Sequence, residues 1–150
     1  MDCTPIFRNA LKASRDLRIL DVVKIDQVLS LLADETEENS QVILAENERD
    51  LARMDENDPR YDRLRLTPSR IKNIADDIRN VAGLHSPVGD VIYEYKKQNG
   101  LLIKKERVPF GVIGVIYEAR PNVTLDVFSL CLKSGNVCIL KGGSDAEHSN

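Results

Sequence analysis

Residues 112–141 constrain this chain more than any other stretch. Val112 to Tyr117 is a short, continuously apolar run, residues 124–135 (TLDVFSLCLKSG) put Leu125, Phe128, Cys131 and Leu132 on one helical face, and Val137 to Leu140 is a second apolar run. Strand, helix, Gly135-Asn136 turn and strand make a βαβ unit. Strands without polar alternation predict a parallel sheet covered on both faces, so the fold class is α/β.

Each strand of that unit runs into a polar cluster at its carboxyl end. After the first come Glu118, Arg120 and Asn122, and after the second come Lys141, Gly142, Gly143 and Ser144. Open α/β sheets bind ligands there, because loops and helix N-termini with unpaired N–H groups gather at that edge, and the two clusters are expected to be neighbours. Each residue also has a plainer reading. Asn122 reads first as the N-cap of the helix starting near Thr124, Lys141 as a solvated lysine, and Gly142-Gly143 as a turn. No G-x-G-x-x-G or G-K-[ST] pattern is present. Ser144 with Glu147 three residues on is a capping box that predicts a further helix. A two-stranded parallel sheet with one crossover cannot cover its own faces, so a truncated fold is expected.

The first half reads as helices. Thr4-Pro5 predicts a helix start, with the threonine oxygen capping and Phe7, Ala10, Leu11 and Leu17 at helical spacing. Val22, Ile25, Val28, Leu29 and Leu32 predict a second helix, and a third is expected over about 41–54. DENDP, residues 55–59, reads as a surface loop. The clearest helix is PSRIKNIADDIRNVAG: Thr67 caps it, Pro68 takes its first position, Ile71, Ile74, Ala75, Ile78, Val81 and Ala82 form its apolar stripe, and Gly83 ends it. His85 follows in a turn and has no second His or Cys at ligand spacing, so it reads as a surface or hydrogen-bonded side chain. Asn99-Gly100 between two apolar arms predicts a tight turn with positive φ angles, and residues 90–108 a β-hairpin that either pairs with another sheet or projects towards a partner subunit.

Composition narrows the function. With 21 basic against 24 acidic residues, net charge −3 and no basic cluster, nucleic acid is not an expected partner. No apolar run is long enough to span a bilayer and the N-terminus lacks a signal-peptide core, so no membrane association and a cytoplasmic location are expected. Three cysteines without a C-x-x-C pair fit a reducing compartment better than a disulfide framework or a zinc site; Cys131 and Cys138 sit among apolar neighbours and read as small buried hydrophobes. No metal is expected.

VPFGVIGVIYEARPNVT and CLKSGNVCILKGGSDAEHSN, with DRLRLTPSRIKNIADDIRNVAGLHSPVG and NGLLIKKERVPFG upstream, resemble the γ-glutamyl phosphate reductase (glutamate-5-semialdehyde dehydrogenase) family of the aldehyde dehydrogenase superfamily. The resemblance covers nearly the whole chain and is weakest at residues 55–59. It implies a truncated aldehyde dehydrogenase-like fold: residues 1–89 and 109–150 as part of an N-terminal, Rossmann-like cofactor-binding domain, residues 90–108 as an oligomerisation hairpin, and a catalytic domain absent from this chain. It further implies NADPH-dependent reduction of L-glutamate 5-phosphate to L-glutamate 5-semialdehyde and phosphate in proline synthesis, with NADPH/NADP as cofactor. Asn122 becomes part of the oxyanion hole beside a nucleophilic cysteine outside these residues, and Lys141, with Gly142, Gly143 and Ser144, the cofactor corner. The usual Lys-Pro-Ser-Glu of the superfamily is Lys141-Gly142-Gly143-Ser144-Asp145 here.

Charge alone suggests Arg120 as a grip for the substrate phosphate or α-carboxylate, with Glu118 holding it or meeting the substrate amine; an Arg–Glu pair that merely fixes the loop is the competing reading. Alone, the chain is expected to be inactive and, in its parent, homo-oligomeric. The alternatives are a non-catalytic assembly or binding module derived from the same fold, and a reductase fused to an upstream glutamate 5-kinase, against which a chain opening at Met1 with a helix argues.

Overall fold

The computed structural model describes residues 2–150, as α1 (Thr4–Leu17), α2 (Val22–Glu38), α3 (Ser40–Leu51), α4 (Tyr61–Leu64), α5 (Pro68–Gly83), β1 (Val91–Lys96), β2 (Leu102–Glu106), β3 (Val112–Ile116), α6 (Asn122–Lys133) and β4 (Val137–Lys141). The helical layer is built on α5. Thr67, extended at φ −137° and ψ 161°, accepts from the Arg70 N–H at 3.1 Å and starts the helix. Ile71, Ile74, Ala75 and Ile78 are then buried, and Ile74, Ala75 and Ile78 share a core with Ile25, Leu29 and Ala33 of α2. Burying a side chain such as Leu29, wholly inaccessible here, contributes about 1.5–3 kcal/mol. Gly83 ends α5 without a left-handed turn; the next residue, Leu84, is simply extended at φ −70° and ψ 150°.

Two other helix ends differ from the sequence expectation. At α1 the cap is Asp2, whose Oδ1 accepts from the Thr4 N–H at 2.9 Å, while Cys3 holds the cap position. Only Asn39 separates α2 from α3, and α3 stops at Leu51 rather than near Met54. The DENDP segment is a loop as expected, ordered by Asp58, whose carboxyl is held down at about 2 by the Arg60 guanidinium and backbone N–H.

β3 and β4 pair in parallel from Val112↔Val137 to Ile116↔Lys141, with α6 as the crossover. Leu125 and Leu132 of α6 pack on the α2–α5 core. So does Lys133, 4% exposed, whose Nζ donates to the Asp26 carboxylate at 2.5 Å and to the Ala82 carbonyl at 2.7 Å. The expected covering of both sheet faces is not met: Gly114 and Ile116, which share a face of β3, are exposed, Ile116 to 84%. Two strands and one crossover leave that face open. In the α6–β4 turn Gly135 has φ +72°, and a Cβ there would lie 2.8 Å from Pro109 Cγ and 3.1 Å from Val88 Cγ2. Asn136 beside it is buried and accepts from the Gly111 N–H at 2.9 Å, which locks the approach to β3.

The hairpin is present, with β1 and β2 antiparallel and paired to no other strand. Its turn is longer than Asn-Gly suggested. Gly100 alone takes a positive φ, +88°, its N–H donates to the Lys97 carbonyl at 2.9 Å, and the Lys97 N–H donates to the Leu101 carbonyl at 2.8 Å. That is a three-residue loop closed by a left-handed glycine. Every residue of β1 is exposed, and Glu94 and Lys104 form a cross-strand ion pair at 2.9 Å.

The capping box at Ser144 does not form. Ser144–Ala146 is a single 3-10 turn with Gly143 in the cap position and no side-chain cap. The unpaired N–H groups that follow are taken by Asp50 of α3, fully buried, which accepts from the His148 N–H at 3.1 Å, the Ser149 N–H at 2.8 Å and the Ser149 hydroxyl at 2.6 Å. Asn47, one turn earlier, donates to the Leu64 carbonyl at 2.9 Å and accepts from the Leu66 N–H at 2.7 Å. A carboxylate 98 residues upstream thus does the work expected of Ser144. No helix among the described residues is long and apolar enough to cross a membrane.

Gly135 and Gly100 separate strain from steric exclusion. Gly135→Ala is expected to cost about 2–4 kcal/mol, the left-handed penalty plus the Pro109 overlap, whereas Gly100→Ala, with open space at its Cβ, costs only about 1 kcal/mol. Urea unfolding midpoints of the two variants check this; equal losses would exclude the overlap.

Candidate functional site

At the end of β3 the Tyr117 N–H donates to the Lys141 carbonyl at 3.1 Å, so the two polar clusters are neighbours, as expected. The chain then reverses at Ala119, which is 3% exposed and has φ +43°, the one positive φ outside glycine among the described residues. A left-handed alanine costs about 1 kcal/mol and persists only where its surroundings enforce it. Its effect is to part Glu118 from Arg120. Glu118 lies against Gly143, where a Cβ would meet the Glu118 Cα at 3.4 Å, and Arg120 faces the opposite side, into a groove between α5 and α6. No ion pair joins Glu118 to Arg120 among the described residues.

The groove, about 330 Å³, is lined by Arg63, Arg70 and Asp77 from the α4–α5 side and by Arg120, Asn122 and Asp126 from the other. Asn122 is not the N-cap of α6. It is the first helical residue, Pro121 precedes it in a right-handed conformation at φ −58° and ψ −32°, and no side chain caps the helix. Its Nδ2 donates instead to Asp126 Oδ2, one turn on, at 2.9 Å. An ionised carboxylate only accepts, so Asp126 sets which end of the amide faces it and leaves the second N–H of Nδ2 free for an oxygen in the groove. Burial pushes the Asp126 carboxyl above its usual value and the charge of Asp77 adds to that, while the Asn122 hydrogen bond opposes both. Arg70 is already committed, donating to the Asp62 and Arg65 carbonyls and to both Asp62 carboxylate oxygens.

Lys141, Gly142, Gly143 and Ser144 border a second depression of about 340 Å³ with Glu147 and Asn150. Lys141 is exposed and its Nζ donates only to the Gly142 carbonyl. A Cβ on Gly142 would meet the end of the Asn150 side chain, and one on Gly143 would touch Glu118 at 3.4 Å. Asp145 is tied to Arg60 at 2.6 Å. Among the described residues no group of three metal-ligating side chains forms. Burial pushes the Cys131 thiol up to about 11 and raises Cys138 as well, so both stay protonated and unreactive near neutrality. His85 is a surface side chain whose Nε2 lies 2.7 Å from Asp90 Oδ1.

Asp126, Asp77, Arg63 and Arg70 are residues that sequence reading passed over. Their spacing held a signal: Asp126 stands four residues after Asn122, and Arg70, Asn73 and Asp77 form a polar stripe beside the apolar Ile71, Ile74 and Ile78.

No family model matches the chain. It is 60% identical over 138 residues to Gamma-glutamyl phosphate reductase of Bacteroides thetaiotaomicron, covering 92% of this chain and 33% of that protein. It is 57% identical over 139 residues to the protein of the same name from Chlorobium phaeobacteroides, again 33% of its length. Among solved structures, the Thermotoga maritima Gamma-glutamyl phosphate reductase superposes with a TM-score of 0.91 at 37% identity, over 95% of this chain and 35% of that one. The Saccharomyces cerevisiae protein superposes at 0.93 and 31% identity, over 99% and 39%. The chain thus spans about a third of the length of the curated relatives it matches.

Asp126→Asn tests the electrostatics of the groove. A carboxyl whose folded pKa is raised is more readily protonated in the folded state than in the unfolded one. Its ionisation therefore removes stability as pH climbs from the unfolded value of 3.8 through the higher folded one. The asparagine variant is expected to gain in urea midpoint relative to wild type between pH 3 and pH 7; a constant difference across that range would rule out the burial effect.

Proposed function

We propose that this chain, which resembles the N-terminal third of γ-glutamyl phosphate reductases throughout its length in sequence and fold, supplies the oxyanion donor, part of the substrate groove and the nucleotide corner of such an enzyme. The reaction is reduction of L-glutamate 5-phosphate by NADPH to L-glutamate 5-semialdehyde and phosphate, a step of proline synthesis. The observation that carries this reading is Asn122: an amide at the carboxyl edge of the sheet, its nitrogen end oriented by Asp126 and one N–H left over for the groove.

A nicotinamide cofactor suits the second depression. Lys141 offers a cation for the ribose or for the 2′-phosphate that distinguishes NADPH, and Gly142, Gly143 and Ser144 let backbone approach the dinucleotide. Bound there, the cofactor supplies hydride. Asn122 donates to the oxygen of the tetrahedral intermediate and stabilises its charge, Arg120 receives an anionic end of the substrate, and Glu118 stands at the Gly143 corner between the two depressions. The nucleophilic cysteine belongs to the two thirds of the relatives that this chain does not span, since neither Cys131, buried, nor Cys138, half-buried, has a thiol fit for the task and Cys3 does not match the family's motif. Residues 1–89 and 109–150 form part of the cofactor-binding domain. The exposed hairpin 90–108 is the subunit contact, offering Val91, Ile92, Tyr93 and Leu102 together with free strand edges.

Assayed with the remaining two thirds that the relatives possess, the protein is expected to oxidise glutamate semialdehyde with NADP⁺ and phosphate in the reverse direction; a wild-type protein without that activity would refute the reading. Asn122→Ala should lower kcat by about 10²–10³. Lys141→Ala should raise KM for NADPH with kcat near wild type, and Arg120→Lys should raise substrate KM; an unchanged substrate KM in the latter removes the anion-gripping role.

A further inference from the structure

The groove is lined by four charged side chains that form no ion pair within the chain among the described residues, Arg63, Asp77 and Arg120 exposed and Asp126 half-buried. Asp77 and Asp126 have no cationic side chain within salt-bridge distance among the described residues, and Asp126 has only the neutral Asn122 amide. Arg63 and Arg120 likewise have no carboxylate partner; Asp62 in the same wall is taken by Arg70 and Arg65. Ion pairs are formed freely elsewhere in this chain, as around Arg79, which donates to Asp34 at 2.8 Å and to Glu37 at 2.7 Å. Opposite charges set around one cavity without pairing to each other complement a ligand that is itself zwitterionic. A volume of about 330 Å³ lies at the small-ligand end of binding cavities.

We propose that this groove is the head-group subsite for an α-amino acid substrate, with Asp126 and Asp77 receiving the α-ammonium and Arg63 with Arg120 receiving its anionic groups. The proposal rests on the reductase reading and adds the residues that recognise the amine. Glu118 is not one of them, because it lies against Gly143 outside the groove lining. The geometry suits a glutamate skeleton. Asn122 and Asp126 are one turn apart on α6, a rise of about 6 Å, and in glutamate 5-semialdehyde four single bonds separate the reacting carbonyl carbon from the α-nitrogen. With the carbonyl oxygen at the free N–H of Asn122, a span of four bonds brings the ammonium within reach of the Asp126 carboxylate. A cation there also offsets the repulsion between Asp126 and Asp77.

The test compares L-glutamate 5-semialdehyde with 5-oxopentanoate, the same aldehyde without the amine, in the NADP⁺- and phosphate-dependent direction, again with the whole length of the relatives present. Wild type is expected to favour the amino substrate in kcat/KM. Asp77→Asn is expected to lose about 10–100-fold on it while changing less than about threefold on 5-oxopentanoate, so that the preference collapses, and Asp126→Asn, which also disturbs the Asn122 amide, is expected to lose activity on both but about tenfold more on the amino substrate. The two substrates share one protein sample, so a folding defect cannot imitate this pattern, and Asp77 makes no hydrogen bond to Asn122 through which it could act. Equal losses on both substrates, in Asp77→Asn or in Asp126→Asn, would overturn the proposal. Unchanged values on both would overturn it too. A wild-type protein active on neither aldehyde would instead refute the reductase reading beneath it.

Discussion

The buried contact of Lys133 with Asp26 and the Ala82 carbonyl is what the rest of the structure depends on. Apolar burial alone would let α6 slide or rotate against α2 and α5, because hydrophobic attraction is not directional. A lysine 4% exposed must place its ammonium on two specific oxygens, one from α2 and one from the end of α5. Removing Asp26 would leave the Lys133 ammonium on one neutral carbonyl, and because Asp26 is itself 38% exposed and screened by water the loss is about 1–3 kcal/mol. With α6 fixed, the groove between α5 and α6 has fixed walls, and Asn122 at the start of α6 has a fixed place at the sheet edge.

Two further devices bring the ligand-facing loops into register. Ala119 accepts a left-handed backbone so that consecutive polar residues diverge, Arg120 to the groove and Glu118 to the Gly143 corner. Asp50 gathers the N–H groups of His148 and Ser149, while Arg60 holds Asp145 and Arg53 holds Glu147. The segment after β4 is thus anchored to α3 and its following loop rather than capped from within. Both devices trade local conformational preference for position, as sites commonly do.

Stability and binding pull apart in the groove. Elsewhere acidic and basic side chains pair across helices, and the pairing depresses carboxyl groups such as Glu37. Asp126 moves the other way, raised by burial and by the charge of Asp77. A core evolved for stability alone would have neutralised it, since an unpaired, half-buried carboxylate is costly to keep ionised. Its retention beside an equally unpaired arginine fits a surface shaped for something that binds there.

Local chemistry determined much of this protein. Thr67, Pro68 and the apolar stripe through Ile78 specify α5, the apolar runs flanking residues 122–133 specify the βαβ unit, and Asn122 and Lys141 were legible as residues at strand carboxyl ends because side-chain period and strand polarity decide that much. What the tertiary structure alone decided rests chiefly on partners far apart in sequence: Asp50 in place of Ser144 as the cap, and Lys133 as a core residue held by Asp26; the Asn122–Asp126 pair was offered by four-residue spacing, and folding decided that it forms and that Glu118 parts from Arg120. A capping box or an i,i+4 pair is only an offer of a hydrogen bond. Whether it is taken depends on which acceptor burial leaves accessible once the chain has closed on itself, and no short window of sequence contains that competitor.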